Sequence, residues 1–519
     1  MTAPAGLVLP ARDDPVVAGT SRAIGGPPGS HARLGPRRFW TPVRWLVLLT
    51  LVTSLFGWWQ KSPCRVHPWV EQYQYTRACY TDVFALYFAE QLSAGKTPYL
   101  EHPVEYPVVI GGVMAVAAEV VSVLPAERRP RHFYDVTWAL LTACALVVVV
   151  TAARLAGRRP WDAAMFAAAP LLVLHGSTNW DLVAMALVGL GLLQWARRRP
   201  LAAGLLLGLA TATKLYPVLL LVPLFALCLR AGRMRAFAVT AAALVLTPVL
   251  VSLPVYLSSP YFAPDPSGAQ SVVAASPLDR LGTEGLSALA PTVERGGVRA
   301  VNATYRFFDL NRVRPADWDS GWYALQKVRG VSLDEGLATG EAPRRLNYGV
   351  AGLFLLALGG IVALTLLARR RPRLMPLLFL TVLAFLLTNK VWSPQFSLWL
   401  VPLALLARPR WRPFLAWQAA EVLVLFTRFY FFVGNDKPGQ GIDPWWFLSA
   451  VGLRDLALLV FAGFVIRDVL RPENDVVRDG ADDPAGGVLD GAPDRARRAG
   501  ASRGPEHAAA AGTSAKITG

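Results

Sequence analysis

"YPVVIGGVMAVAAEVVSVL", residues 106–124, decides the topology of this chain. The stretch carries no charge except Glu119, so it first reads as one more membrane crossing. If it crossed, every later loop would change side. Arg158 and Arg159, Arg197 to Arg199, and the basic clusters at 230–235, 369–373 and 408–412 would then all face outward. Cytoplasmic loops are the ones that carry excess Lys and Arg, so the crossing is rejected. Lying in the outer interface, or dipping into it, the stretch becomes part of the first external loop. Every cluster then falls inside, together with Arg37, Arg38, Arg44, Arg467 and Arg471.

Apolar runs flank this segment at 41–59, 133–155, 161–177, 180–196, 201–213, 215–229 and 236–257. After a polar gap they continue at 348–367, 374–388, 394–406, 413–433 and 445–466. A spanning helix needs ~20 apolar residues, so the shorter runs predict tilted helices or helices surrounded by protein. The expected fold is an all-α polytopic bundle of about twelve transmembrane helices over residues 40–468, with both termini cytoplasmic. Two large external loops follow, at about 60–132 and 258–347. The length of the second, with its Pro, Gly, charged and aromatic residues, predicts a folded or binding role. Residues 1–39 and 469–519 are rich in Ala, Gly and Pro and read as disordered cytoplasmic tails.

Composition agrees with a membrane protein. The chain has 519 residues, 54% of them hydrophobic and 17% charged, with mean hydropathy +0.38, which excludes an ordinary soluble domain. Its 52 basic and 35 acidic residues give a net charge of +17. Because the arginines cluster between apolar runs, this charge marks topology and not a nucleic-acid partner. The preference for arginine over lysine and the abundant alanine point to a bacterial plasma membrane. Cys64 and Cys79 both follow the first span, where a disulfide persists if that side is extracytoplasmic. Cys144 and Cys228 lie within apolar runs.

The residues able to do chemistry gather beside the expected outer ends of spans. Asp82 opens a short apolar and aromatic stretch, 83–92, that reads as a surface helix. It is either a helix cap or a general base able to take a proton from an attacking hydroxyl. Glu105 is the second candidate base, while Glu71, Glu90 and Glu101 read as solvated charges. "HPVEYP", 102–107, is held extended by its prolines and returns the chain toward Asp82. There His102, Glu105 and Tyr106 are either ligands for sugar hydroxyls or a phosphate, or interfacial anchors. "HGSTNWD", 175–181, places Asn179 and Asp181 at another outer junction, where Asp181 serves a site or caps a helix. "ATKLYP", 212–217, sets Lys214 beside Tyr216 in an apolar run. A lysine there snorkels or meets an anion such as a lipid phosphate. The same alternatives apply to Lys390 in "NKVWSPQ", 389–395, whose Trp392 and Gln395 have the chemistry to stack on and hydrogen-bond a sugar. Glu421 and Arg428 read as a structural pair. No acid spacing or His-Cys cluster defines a metal site, and Asn302-Ala303-Thr304 reads as an accidental glycosylation sequon.

An acid in the first outer loop, then "EYP", "NWD", "RRRPLAAGLLLGLATATKLYP" and "NKVWSPQFSLWLVP", in that order, resemble glycosyltransferase family 87 over roughly residues 40–467. The resemblance implies a GT-C membrane fold with no obligatory metal or other cofactor. It also implies a polyprenyl-phosphate sugar as donor, mannose by preference, and a catalytic aspartate in the first outer loop, which falls on Asp82. The chain departs from the family's paired prolines after the tyrosine, having Tyr106, Pro107 and Val108. The expected activity is transfer of a sugar to an extracytoplasmic hydroxyl of a glycolipid, polysaccharide or protein, with inversion. Rival readings are a transporter or flippase of polyprenyl-linked sugars and a non-catalytic envelope assembly factor. Transporters favour repeats and midplane sites, whereas the acids here sit at the ends of spans.

Overall fold

The computed structural model describes residues 14–26, 40–67, 69–265, 269–335, 341–437, 439–478 and 482–495. Among these, six helices are long and apolar enough to cross a membrane: Pro42–Val66, Ala126–Leu155, Met234–Ser258, Arg344–Leu367, Trp411–Asn435 and Pro444–Leu470. The other expected spans are shorter or broken. The run at 161–177 is divided into Pro160–Ala163, Ala164–Ala167 and Pro170–His175, because Pro170 restarts the chain after Ala168 and Ala169. Asp181–Ala196, Pro200–Thr211, Tyr216–Ala231, Leu374–Thr388 and Pro394–Ala407 have 10–17 residues each. Of the twelve or so expected spans, six are thus long apolar helices and most of the others form shorter ones, as their short runs predicted. Burial explains why short helices suffice. Met234–Ser258 and Arg344–Leu367 bury few of their residues, while Leu374–Thr388 is buried along most of its length. A helix enclosed by protein need not match the full ~30 Å of hydrocarbon.

The topology-deciding stretch forms the helix Val108–Ser122, whose 15 residues reach only ~22 Å. It begins at the Pro107 corner and packs on the helix Arg129–Leu155. Gly204 and Gly208 let Pro200–Thr211 press against Met234–Ser258. A Cβ at either would meet the carbonyl of Thr240 or Leu244 at 2.5 or 2.8 Å.

Several helices carry a basic cluster at one end and cavity residues at the other. Leu374–Thr388 runs from Arg373 to Asn389 and Lys390, and Tyr216–Ala231 ends at Arg230. The basic ends are covered by the C-terminal segment. Asp494 accepts from Arg230 (2.7 and 2.9 Å), Asp475 from Arg373 (2.7 and 3.0 Å), and Asp483 from the Leu374 N–H (2.8 Å). Residues 482–495, read as tail from their composition, are therefore docked by acids that complement the arginines. At the other terminus Pro15–Gly25 is helical, and Asp14 accepts both from the Val16 N–H (2.9 Å) and from the Trp411 N–H (3.1 Å).

The second loop adds β structure to the expected all-α fold. Strands β1 (Tyr261–Pro264), β2 (Gln270–Ala274), β3 (Thr292–Arg295) and β4 (Val298–Asn302) pair antiparallel in the order β2-β1-β4-β3. Asn302 is fully buried and donates to the Ser259 carbonyl (2.9 Å), a structural role that explains its presence in the sequon.

Cys64 and Cys79 are joined, with Cα atoms 5.5 Å apart. The bond closes the first loop onto the end of Pro42–Val66, where Lys61 Nζ donates to the Tyr80 carbonyl (2.8 Å). Closing a loop of 15 residues stabilises by about 3 kcal/mol through loss of chain entropy in the unfolded state. Reduction, or the Cys64→Ser/Cys79→Ser pair, should lower the unfolding temperature and expose Arg77, already at the surface, to trypsin. Unchanged cleavage at Arg77 would show that the staple does not hold the loop.

Candidate active site

Asp82 is the first residue of the helix Asp82–Ala89 but does not cap it. Thr81 does, its Oγ1 accepting from the Val83 N–H (3.2 Å) and donating to the Ser177 carbonyl (2.8 Å). The Asp82 N–H donates to the Thr178 carbonyl (2.8 Å), which docks this helix start on the turn before Asp181–Ala196. The carboxylate is thereby left to face a cavity of about 710 Å³. Two amides converge on Asp82 Oδ2, Asn179 Nδ2 at 2.7 Å and Gln395 Nε2 at 3.3 Å. The structure thus brings together segments more than three hundred positions apart in the chain.

A second layer orients these amides. Asn179 Nδ2 also donates to the Tyr106 hydroxyl (2.7 Å), while Asn179 Oδ1 accepts from the Trp180 N–H (2.7 Å) and Lys214 Nζ (3.3 Å). Lys214 lies 4.7 Å from the Tyr106 ring centre and 3.5 Å from Asp181 Oδ1. Asp181, buried below the cavity, also accepts from Trp399 Nε1 (2.8 Å). Tyr216 lies against Trp399 in a stack 4.3 Å apart. Of the two alternatives for Lys214, the structure supplies the anion, and Asp181 is a buried partner instead of a cap.

Glu105 lines the cavity and pairs with Arg314 of the second loop (3.0 Å). Burial raises its carboxyl above the ordinary range, opposed by Arg314. Lys390 lines it too, but its three N–H donors face the Arg314 carbonyl (2.7 Å), Asn347 Oδ1 (2.7 Å) and the Arg312 carbonyl (3.3 Å). It tethers the second loop. His102 and Trp392 are not part of the wall. His102 Nε2 sits 3.6 Å from Glu90, and Trp392 is buried with its ring 3.7 Å from the Arg454 guanidinium and its Nε1 donating to Ser397 Oγ (3.2 Å). Both are corrections to the sequence reading: the prolines around His102 aim it back at its own loop, and a buried cation captures Trp392.

Glu90 is a further correction, since it is buried and accepts from the Glu105 N–H (3.3 Å). Desolvation pushes its carboxyl up from 4.5 to about 8. The folded protein therefore holds a proton that the unfolded chain releases above about pH 4.5. Folding stability falls as pH rises from there to about 8. Glu90→Gln should flatten that part of the thermal unfolding profile in detergent, and an unchanged slope would contradict the assignment.

Sequence reasoning missed Lys61, Tyr80, His175, Arg314 and Arg428, all on the cavity wall. Arg428 does not pair with Glu421. It meets Asp319 of the second loop (3.4 Å), while Glu421 accepts from Trp417 (2.8 Å). The Asp82 charge, followed by burial, pushes the Tyr80 phenol far above its ordinary range and keeps it protonated beside the carboxylate. For Arg428, an arginine inside the apolar run 413–433, that position was the available signal. Among the described residues, no group of three or more His, Cys, Asp or Glu is placed to hold a metal ion.

Comparison with protein families finds that residues 120–263 match the model of glycosyltransferase family 87. The matched stretch contains Asn179, Asp181 and Lys214, and the fold carries Asp82, Tyr106 and Gln395 to them. None of the curated proteins matches the chain.

Proposed function

We propose, from the match to a glycosyltransferase family over residues 120–263, that this multi-pass membrane protein is an inverting glycosyltransferase using a polyprenyl-phosphate sugar, mannose by the resemblance. The observation that carries this reading is the Asp82 carboxylate, released from capping by Thr81 and aligned by two amides at the cavity wall. In the proposed step Asp82 takes the proton of an acceptor hydroxyl. The acceptor oxygen bonds to the anomeric carbon from the face opposite the leaving group, and the C–O bond to phosphate breaks with its electron pair leaving on the phosphate. No proton need reach the leaving group, because a phosphate is already a stable anion. Preorganised cations lower its cost of departure. Lys214 and Arg314 are the wall cations assigned to this role, although each also meets a carboxylate; all three donors of Lys390 are taken by the second loop and Asn347, and His102 lies off the wall.

The side of the membrane follows from three supports. The basic clusters lie at the helix ends remote from the cavity, the cytoplasmic side under the charge rule. The Cys64–Cys79 disulfide suits an oxidising exterior of a bacterial plasma membrane. A donor with a lipid tail arrives laterally, and Leu215 and Phe308 on the cavity wall are both partly exposed at its rim. About a dozen crossings, with both termini cytoplasmic, remain the topology under which these supports agree. The mechanism predicts that the product carries the sugar in the anomeric configuration opposite to the donor's, read from the one-bond C–H coupling of the new linkage. Retention would contradict a single base acting by direct displacement.

A further inference from the structure

The second loop carries a helix that is turned inside out. Ser276 caps Pro277–Glu284, its Oγ accepting from the Asp279 N–H (3.3 Å), and a short helical turn, Gly285–Leu289, continues it. The buried side of this element holds Arg280, whose guanidinium lies 5.0 Å from the Tyr261 ring and pairs with Glu284. Leu278, Leu281, Leu286 and Leu289 recur at spacings that return to one helical face, and all four are exposed, Leu278 by 57% and Leu286 by 82%. In water the leucines would turn inward and the arginine outward. Hydrogen bonds fix where this element sits. Tyr256, in the last turn of Met234–Ser258, donates to the Leu289 carbonyl (2.8 Å), and Tyr261 donates to the carbonyls of Ala288 (3.0 Å) and Ala290 (2.7 Å). The leucine face therefore lies at one end of a membrane-length helix whose own Val249, Leu250 and Leu253, one to two turns before Tyr256, are exposed.

We propose that this leucine face docks on the outer leaflet of the bilayer, at the boundary between headgroups and acyl chains. The inference goes beyond the transferase reading and needs only that Met234–Ser258 crosses the membrane. A contiguous exposed apolar face marks an interaction surface, and this one continues the apolar surface that Met234–Ser258 presents to lipid. A helix of 8 residues reaches only ~12 Å, too short to cross the hydrocarbon. Asp279 is exposed beside the leucines, which suits a helix lying in the interface and not one inside the bilayer core. Four leucine side chains also offer far less than the ~800 Å² per partner that a stable protein interface buries, which argues against a second copy as the occupant. The bilayer becomes a third attachment of the second loop, beside Asn302 to the Ser259 carbonyl and Lys390 to the Arg314 carbonyl.

The test is fluorescence quenching on the full-length chain in vesicles of phosphatidylcholine and phosphatidylglycerol. With Cys144→Ala and Cys228→Ala as background, a nitrobenzoxadiazole label is placed at Leu286→Cys or, separately, at Leu278→Cys. Both positions are exposed, so the label displaces no core contact, and Cys64 and Cys79 are joined and do not react. Leu250→Cys on the spanning helix and Glu294→Cys on strand β3 serve as the lipid and water references, since both are exposed. A phospholipid with a nitroxide high on its acyl chain should quench the labels at 286 and 278 severalfold more than the label at 294. Aqueous iodide should quench them severalfold less. Adding Leu281→Asp to Leu286→Cys should restore iodide access, and unchanged quenching there would overturn the leucine face as the anchor. Iodide quenching at 286 and 278 equal to that at 294 overturns the proposal. Shielding from both quenchers, with a disulfide forming between copies through Leu286→Cys, overturns it in favour of a second copy. A label at 250 that the lipid quencher does not reach removes the crossing of Met234–Ser258 and the proposal with it.

Discussion

Asp82→Asn lowers sugar transfer by about 10²- to 10⁴-fold, the contribution of a positioned general base, without changing the amount or thermal stability of folded protein. Stability is expected to hold because Asp82 is not the cap of its helix. Thr81 makes the capping bond, and the Asp82 N–H to Thr178 is a backbone interaction that asparagine keeps. The asparagine carbonyl still accepts from Asn179 Nδ2, so the amide layer has a partner. Only the capacity to take a proton is removed. An activity measurement at matched membrane expression reads the loss. Wild-type activity in the variant would move the search to Glu105, the other carboxylate on the cavity wall.

The second large effect belongs to Lys214. Its ammonium is buried between Asp181 (3.5 Å), Asn179 (3.3 Å) and the Tyr106 ring (4.7 Å), and Asp181 Oδ2 has no hydrogen-bond partner. Lys214→Met removes the cation that faces a fully buried acid, which costs about 3–5 kcal/mol and abolishes transfer. The Lys214→Met/Asp181→Asn pair strands no charge, so it should recover most of the lost stability. It should not recover activity, because the cation assigned to the departing phosphate is still absent. Thermal unfolding of the three variants in detergent, together with their transfer rates, separates the two effects. A double variant no more stable than Lys214→Met would refute the ion pair as the origin of the cost.

Much of the candidate site was legible because its residues interrupt apolar patterns at helix junctions. Asp82, Asn179, Lys214 and Gln395 each lie within a few residues of a helix start, where polar groups in a membrane chain need a reason to be present. Their order along the chain said which ends meet. Trp392 sits in an equally suggestive motif yet turns inward, since sequence could not reveal that Arg454, sixty-two positions later, would lie under its ring. Arg428 illustrates the same limit. Its helical spacing from Glu421 suggested a local pair, whereas Asp319 arrives from a loop whose fold depends on strand pairing far from either residue. The short inner helices also resisted hydropathy alone, because enclosure by protein, a tertiary property, relieves them of spanning the hydrocarbon.

The central claim is covalent transfer from a lipid-phosphate sugar at the Asp82 cavity. Purified protein in proteoliposomes, given radiolabelled polyprenyl-phosphate mannose and a mixture of candidate saccharide acceptors, tests it most directly. The account predicts that label appears on acceptor as polyprenyl phosphate is released in equal amount. Label that crosses the bilayer still attached to its lipid, with no polyprenyl phosphate released, would contradict it and make the protein a translocator.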